Sequence, residues 1–279
     1  MSQKFTEFSL GYSPCPNDTF IFYALIHNRL TYDIEFRETL EDVETLNRLA
    51  LNKEFDVTKA SFHGFGFLRD EYCLLHSGSA LGCGCGPLIV ARSRIDRNKL
   101  GTKKIAIPGR MTTAYLLLRL FAPDAKNIVE MPFDRILNAV SMGTVDAGLI
   151  IHESRFTYPQ YDLIKLIDLG DWWENETGLP IPLGGILARR DLGAAVIAKI
   201  DRLIRQSVEY ALQHPEDARE YIKKNSQELD DDIIDRHIKL YVNDYTLDIG
   251  DGIVAVEKLL KTAEELNLIP HSEKPIFGD

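Results

Sequence analysis

The stretch from residue 5 to residue 59, FTEFSLGYSPCPNDTFIFYALIHNRLTYDIEFRETLEDVETLNRLALNKEFDVTK, decides the fold. Its apolar residues switch repeatedly between strand and helix periodicity. Phe5 to Tyr12 reads as extended, Thr19 to Asn28 as helical, Asp33 to Thr39 as extended, Val43 to Asn52 as helical and Phe55 to Lys59 as extended. This alternation implies parallel βαβ units, because parallel neighbours need a crossover long enough to hold a helix.

Outward from this stretch, Tyr72 to Ser77 and Pro87 to Arg92 read as strands, and the polar run SRIDRNKLGTK (93–103) reads as a link. The pattern then restarts. Lys104 to Ile107, Asn127 to Met131 and Asp146 to Ile151 read as strands, with Thr112 to Phe121 and Phe133 to Ser141 as the helices between them. Gly185 to Arg189 is strand-like and precedes a mostly helical tail from Ala194, with breaks at Pro215, Asn225 and Gly250. The expected organisation is a two-lobed α/β protein. Residues 1–92 and 190–279 form the larger lobe, residues 93–189 the smaller one, and a ligand cleft lies between them.

Composition narrows the function classes. The 279 residues are 45% hydrophobic and 27% charged, as in an ordinary folded protein. A formal charge of -10 argues against nucleic acid as a partner, since phosphate backbones are bound by concentrated Lys and Arg. Apolar runs stay below the roughly 18 to 20 residues of a membrane span, and the start MSQKFTEFSL has no signal-peptide pattern, so the expected location is cytoplasmic, without membrane insertion. Four cysteines do not make a disulfide framework here. Cys83 and Cys85, in the run GCGCG, lack the usual zinc spacing and a nearby histidine pair, so no metal is expected there; the glycines suggest close backbone approach.

Ligands of open α/β sheets bind at the carboxyl ends of strands, which directs attention to four turns. SPCPNDTF (13–20) is stiffened by two prolines; Asn17 and Asp18 can cap the following helix, whose free amides can hold an anion, although a plain cap needs only one of Asn17, Asp18 and Thr19. VTKASFHG (57–64) offers a Ser61 cap and hydroxyl with the Lys59 charge, or simply a cap and a solvated lysine; His63 reads as structural. In IPGRMTTAYLLLRLF (107–121), Thr112 and Thr113 open an apolar helix whose amides and hydroxyls suit a carboxylate, or simply cap the helix start. VDAGLIIHESRFTY (145–158) delivers His152 at a strand end, where an imidazole can exchange protons, with Glu153 or Ser154 able to orient it; a lone histidine can equally be a structural residue. There is no nucleophile elbow, HExxH or GxGxxG motif. Trp172 and Trp173 read as packing residues.

In the order SPCPNDTFIF, KASFHG, the Thr-Thr helix start and the strand ending in His152, the chain resembles the 1,4-dihydroxy-6-naphthoate synthases of the futalosine route to menaquinone, over essentially its full length. The resemblance implies a fold similar to type 2 periplasmic binding proteins. It also implies cleavage of cyclic dehypoxanthinyl futalosine to 1,4-dihydroxy-6-naphthoate and dihydroxyacetone without metal or organic cofactor. His152 matches the proton-accepting histidine; Lys59, Ala60 and Ser61, and Thr112 with Thr113, match the substrate-binding runs. Asn17 and Asp18 come from the reading of the first turn alone. The expected partner is therefore a small carboxylated substrate, and the oligomeric state stays open. Two alternatives stand beside this reading: a solute-binding protein, and chorismate dehydratase of the same pathway.

Overall fold

A computed structural model describes residues 6–31, 33–227 and 230–278; Phe5, the expected start of the first strand, lies outside the described residues. The opening stretch folds as strand β1 (Thr6–Tyr12), helix α1 (Pro16–Ile26), β2 (Ile34–Leu40), α2 (Val43–Leu51), β3 (Val57–Ser61) and α3 (Phe62–Leu68). Strand β1 lies parallel to both β2 and β3, as βαβ crossovers require. Strands β4 (Tyr72–Leu74) and β5 (Ala80–Gly82) complete this part of the chain.

The chain then enters a second sheet through β6 (Leu88–Ala91), β7 (Ile105–Ile107), α4 (Thr113–Phe121), β8 (Ile128–Glu130), α5 (Phe133–Ser141), β9 (Ala147–Ile150), α6 (Ser154–Thr157), β10 (Ile164–Asp168) and α7 (Leu169–Thr177). It returns through β11 (Ile181–Arg189) to the tail α8 (Ala194–Gln213), α9 (Arg219–Asn225), α10 (Asp231–Tyr241), α11 (Asp244–Leu247) and α12 (Ile253–Glu265).

The first sheet has the order β2-β1-β3-β11-β4, with β5 on β11; the second has the order β10-β6-β9-β7-β8. Strand β11 runs antiparallel to β3, β4 and β5. Strand β6 pairs with β9 and β10, and β7 lies parallel to β9 and β8. Pairing therefore puts 88–91 in the second sheet and 181–189 in the first, whereas the expected boundaries at 92 and 190 assigned each of these strands to the opposite lobe. The physical reason is that an apolar run of this length does not encode which sheet it joins, and the polar link 93–103 is an internal loop and 3-10 turn between β6 and β7.

Helix α1 is buried over ten of its eleven residues, because it sits between the first sheet and the tail. An all-round apolar helix needs such a place. The tail reaches it through Ser207, whose hydroxyl donates to the Ile21 carbonyl at 2.6 Å and accepts from the Leu25 amide at 3.3 Å. No helix among the described residues is long and apolar enough to cross a membrane.

Candidate active site

The carboxyl ends of β1, β3, β7 and β9 converge on one cavity of about 660 Å³, mouth included, lined by Asn17, Asp18, Lys59, Ala60, Ser61, Thr112, Thr113 and His152, with Ser13, Cys85 and Tyr241 among the other walls. Its size falls in the range of small-molecule sites. Residues from both sheets and from the helical tail contribute.

The first turn differs in detail from the sequence expectation. Pro16 takes the first helical position, which suits its fixed φ and missing N–H, so the helix starts early, with Cys15 at the cap position and no side-chain cap. Asn17 and Asp18 are thus within the helix and do other work. Asp18 accepts from the Ser13 hydroxyl at 2.7 Å, the Ser13 amide at 3.3 Å, the Asn17 side-chain amide at 2.9 Å and Lys59 Nζ at 2.9 Å. A carboxylate with so many donors has little capacity left for a ligand. Its effect is to hold Lys59, 6% exposed, against the cavity. Both ions are buried, so removing either one would leave an uncompensated charge.

Ser61 occupies the cap position of α3 without making the cap bond. Instead its hydroxyl accepts from Asn47 Nδ2 at 3.2 Å and its amide donates to Asn47 Oδ1 at 3.0 Å, leaving the hydroxyl proton for the cavity. Asn47 also reaches the Met111 carbonyl at 3.4 Å, and Glu44 Oε2 accepts from the Met111 amide at 2.9 Å. Helix α2 thereby grips the turn 108–112 of the other sheet. Burial pushes the Glu44 carboxyl up, and the Met111 amide and Arg48 oppose it.

Thr112 is the cap of α4: its hydroxyl accepts from the Tyr115 amide at 3.2 Å and donates to the Gly109 carbonyl at 2.8 Å. Thr113 donates to the Leu183 carbonyl at 2.7 Å and accepts from the His63 amide at 3.2 Å. Both hydroxyl protons are therefore committed to protein carbonyls. What the turn retains for an anion is its first helical amides and the positive end of the helix dipole. His63 is buried with Nδ1 3.2 Å from the Thr112 carbonyl, and burial lowers its pKa to about 4, which fits a structural residue.

His152 follows β9 with φ of 54°, a left-handed conformation that a non-glycine residue adopts at a cost. Its ring packs edge-on to Phe133 at 5.2 Å and lies nearly parallel to His237 at 6.3 Å. The residue is partly exposed to the cavity, yet the surrounding protein desolvates the ring. That burial lowers its pKa to about 4, against the smaller pull of Asp18, so the imidazole is a free base at neutral pH. Ligand atoms of Cys15, His152 and Glu153 lie within 4.8 Å of one another. Burial holds the Cys15 thiol well above its ordinary pKa.

The sequence reading missed Asn47, Tyr241 and His237. Asn47 carried a signal, a polar residue on the same helical face as Leu46 and Ala50; the tail residues carried none. Trp172 packs edge-on to Phe121 at 5.5 Å and Trp173 donates to the Pro180 carbonyl at 3.1 Å, both outside the cavity lining. In GCGCG, a Cβ on Gly86 would sit 2.3 Å from the backbone of Gly170, so close approach explains that glycine, and φ of 67° explains Gly84. Arg155 clasps the carbonyls of Gly84, at 2.8 Å, and Gly86, and pairs with Asp168 at 2.5 Å. Cys85 lines the cavity and Cys83 is exposed.

Among solved structures, one of a protein from Archaeoglobus fulgidus superposes with a TM-score of 0.89 at 43% identity, covering 94% of this chain and 98% of that one. The alkanesulfonate-binding protein SsuA from Xanthomonas axonopodis, bound to MOPS, gives 0.68 at 15% identity, covering 95% of each chain. The two-lobed α/β fold is thus that of the periplasmic binding proteins. A family model described as menaquinone biosynthesis matches residues 8–265. The 1,4-dihydroxy-6-naphthoate synthase of Thermus thermophilus is 52% identical over 269 residues, 96% of this chain and 98% of the relative. That of Streptomyces coelicolor is 46% identical over 267 residues, 94% of each. With this agreement along nearly the whole chain, the protein belongs to the 1,4-dihydroxy-6-naphthoate synthase family of menaquinone-biosynthetic enzymes.

Proposed function

We propose that the protein is a carbon-carbon lyase that converts cyclic dehypoxanthinyl futalosine to 1,4-dihydroxy-6-naphthoate and dihydroxyacetone, with His152 as general base. The observation that carries this reading is the imidazole itself: uncharged at neutral pH, held at a strained strand end, and facing a cavity that also holds the Lys59 ammonium. The α4 amides and Ser61 bind the substrate through its carboxylate and hydroxyls, with Ala60 allowing close approach and Lys59 supplying positive charge. His152 removes a substrate proton. A retro-aldol-like cleavage follows, and the proton held by His152 is available for return to the departing three-carbon fragment. Aromatisation of the bicyclic ring supplies much of the driving force. The enclosing lobes exclude water and align base and substrate.

The test is an anaerobic incubation of chelator-treated protein with cyclic dehypoxanthinyl futalosine, followed by mass detection of both products, beside His152→Ala. Turnover by the wild type, with a loss of about 10²- to 10⁴-fold in the variant, is expected for removal of a general base. Binding without turnover by the wild type would favour a solute-binding protein, and conversion of chorismate instead would favour the dehydratase.

A further inference from the structure

The buried polar groups behind Lys59 form a chain whose direction can be deduced. Asp18, ion-paired with Lys59, can only accept, so the Asn17 group 2.9 Å from it must be the NH₂. The Asn17 oxygen then faces His237 Nε2, at 2.8 Å. Since that oxygen can only accept, the proton of the neutral His237 ring sits on Nε2. The sequence of donors is His237 Nε2–H to Asn17 Oδ1, Asn17 Nδ2–H to Asp18 Oδ1, with Lys59 Nζ donating to the same oxygen. Every member is at most 8% exposed, and His237 is fully buried.

We propose that His237, on helix α10 of the C-terminal tail, is a positioning residue for the reaction: through Asn17 it fixes Asp18, and through Asp18 it aims the Lys59 ammonium into the cavity. This rests on the proposed function of the same cavity. A space-filling role explains the observations less well. Nδ1 of His237 is buried, makes no hydrogen bond among the described residues and lies 3.8 Å from Glu153 Oε2. An apolar side chain would avoid that unsatisfied nitrogen, whose burial costs stability. The same helix places Tyr241 in the cavity wall, its ring 4.6 Å from that of His237, so α10 supplies both a wall and the support behind the first turn. Burial, reinforced by the neighbouring His152, holds the ring well below its ordinary pKa, consistent with the single-proton form the chain requires.

Two polar variants separate positioning from packing. The amide of His237→Gln lies where Nε2 lies and can still donate to Asn17; that of His237→Asn lies where Nδ1 lies and cannot reach it. We expect His237→Gln to keep kcat/KM within a few-fold, and His237→Asn to lose about ten- to a hundredfold, the scale of one lost hydrogen bond coupled to a charged group. Thermal unfolding of the two should be similar. Equal loss or equal retention of activity in the two variants would overturn the proposal. An independent readout is the ¹⁵N spectrum of the wild-type histidines, in which His237 should appear as the neutral Nε2–H tautomer. A proton on Nδ1 would overturn the chain whatever the activity. A wild type that shows the expected tautomer but does not turn over the substrate would refute the proposed function and, with it, the reaction this residue is said to serve.

Discussion

His152 combines two features that packing alone would not select, a left-handed backbone and a desolvated ring in a cavity. Its ordinary pKa near 6.5 would leave a large protonated fraction in mildly acidic solution; at about 4 it stays an acceptor until the solution is far more acidic. Protonation removes the lone pair that accepts the substrate proton, so the rate falls as pH falls through the pKa. A kcat/KM profile should therefore show the acid limb belonging to this group near pH 4, with no loss attributable to it between pH 5 and 7. A limb near 6.5 would mean that solvent reaches the ring freely. Lys59 and Asp18 show a different residue-level logic, in which the aspartate reads from sequence as a ligand binder and is in the fold an anchor for the lysine.

At the scale of elements, helix α2 does more than cover the first sheet. Its residues Glu44 and Asn47 hold the turn before α4, and Asn47 at the same time holds Ser61. This depends on Gly64 of α3, where a Cβ would lie 2.6 Å from Asn47 Oδ1. Gly64→Ala should displace the Asn47 amide and cost about 1–3 kcal/mol, the scale of overpacking in a filled interior. Chemical denaturation should show that loss, and KM should rise because Ser61 moves. Unchanged stability would mean that α2 shifts freely. The four turns were legible in sequence because each joins an apolar strand to polar residues next to a helix start, although only Thr112 makes a side-chain cap. His237 was not, because its contacts exist only across elements distant in sequence, and Asn47 showed only as a polar residue on the buried face of its helix. The short strands β5 and β10 carry weak local signals: Ala80–Gly82 runs into a glycine-rich stretch, and Ile164–Asp168 carries Lys165 and is exposed at its first two residues. Pro16 encodes the early start of α1, since its fixed φ suits the first helical position.

At the scale of the molecule, the α/β class and the two-lobed arrangement followed from the alternation of periods, while the assignment of β6 and β11 to their sheets required pairing that no local pattern specifies. The two sheets meet through the α2 grip and through a rim where Glu130 pairs with Arg48 and, at 3.4 Å, with Arg110. Such exposed pairs contribute little stability each, about 0–1 kcal/mol. The position of β11 has a consequence for how the chain is made. The strand fills the middle of the first sheet, yet it is synthesised only after all of the second sheet. Until it emerges from the ribosome, β3 and β4 have bare edges where β11 will lie, so the nascent first lobe is a sheet with a missing slat, open to pairing with other chains and a natural client for chaperones. Expressed alone, residues 1–92 should aggregate or melt without a cooperative transition, and a sharp unfolding curve from that fragment would show that the nascent lobe needs no late strand.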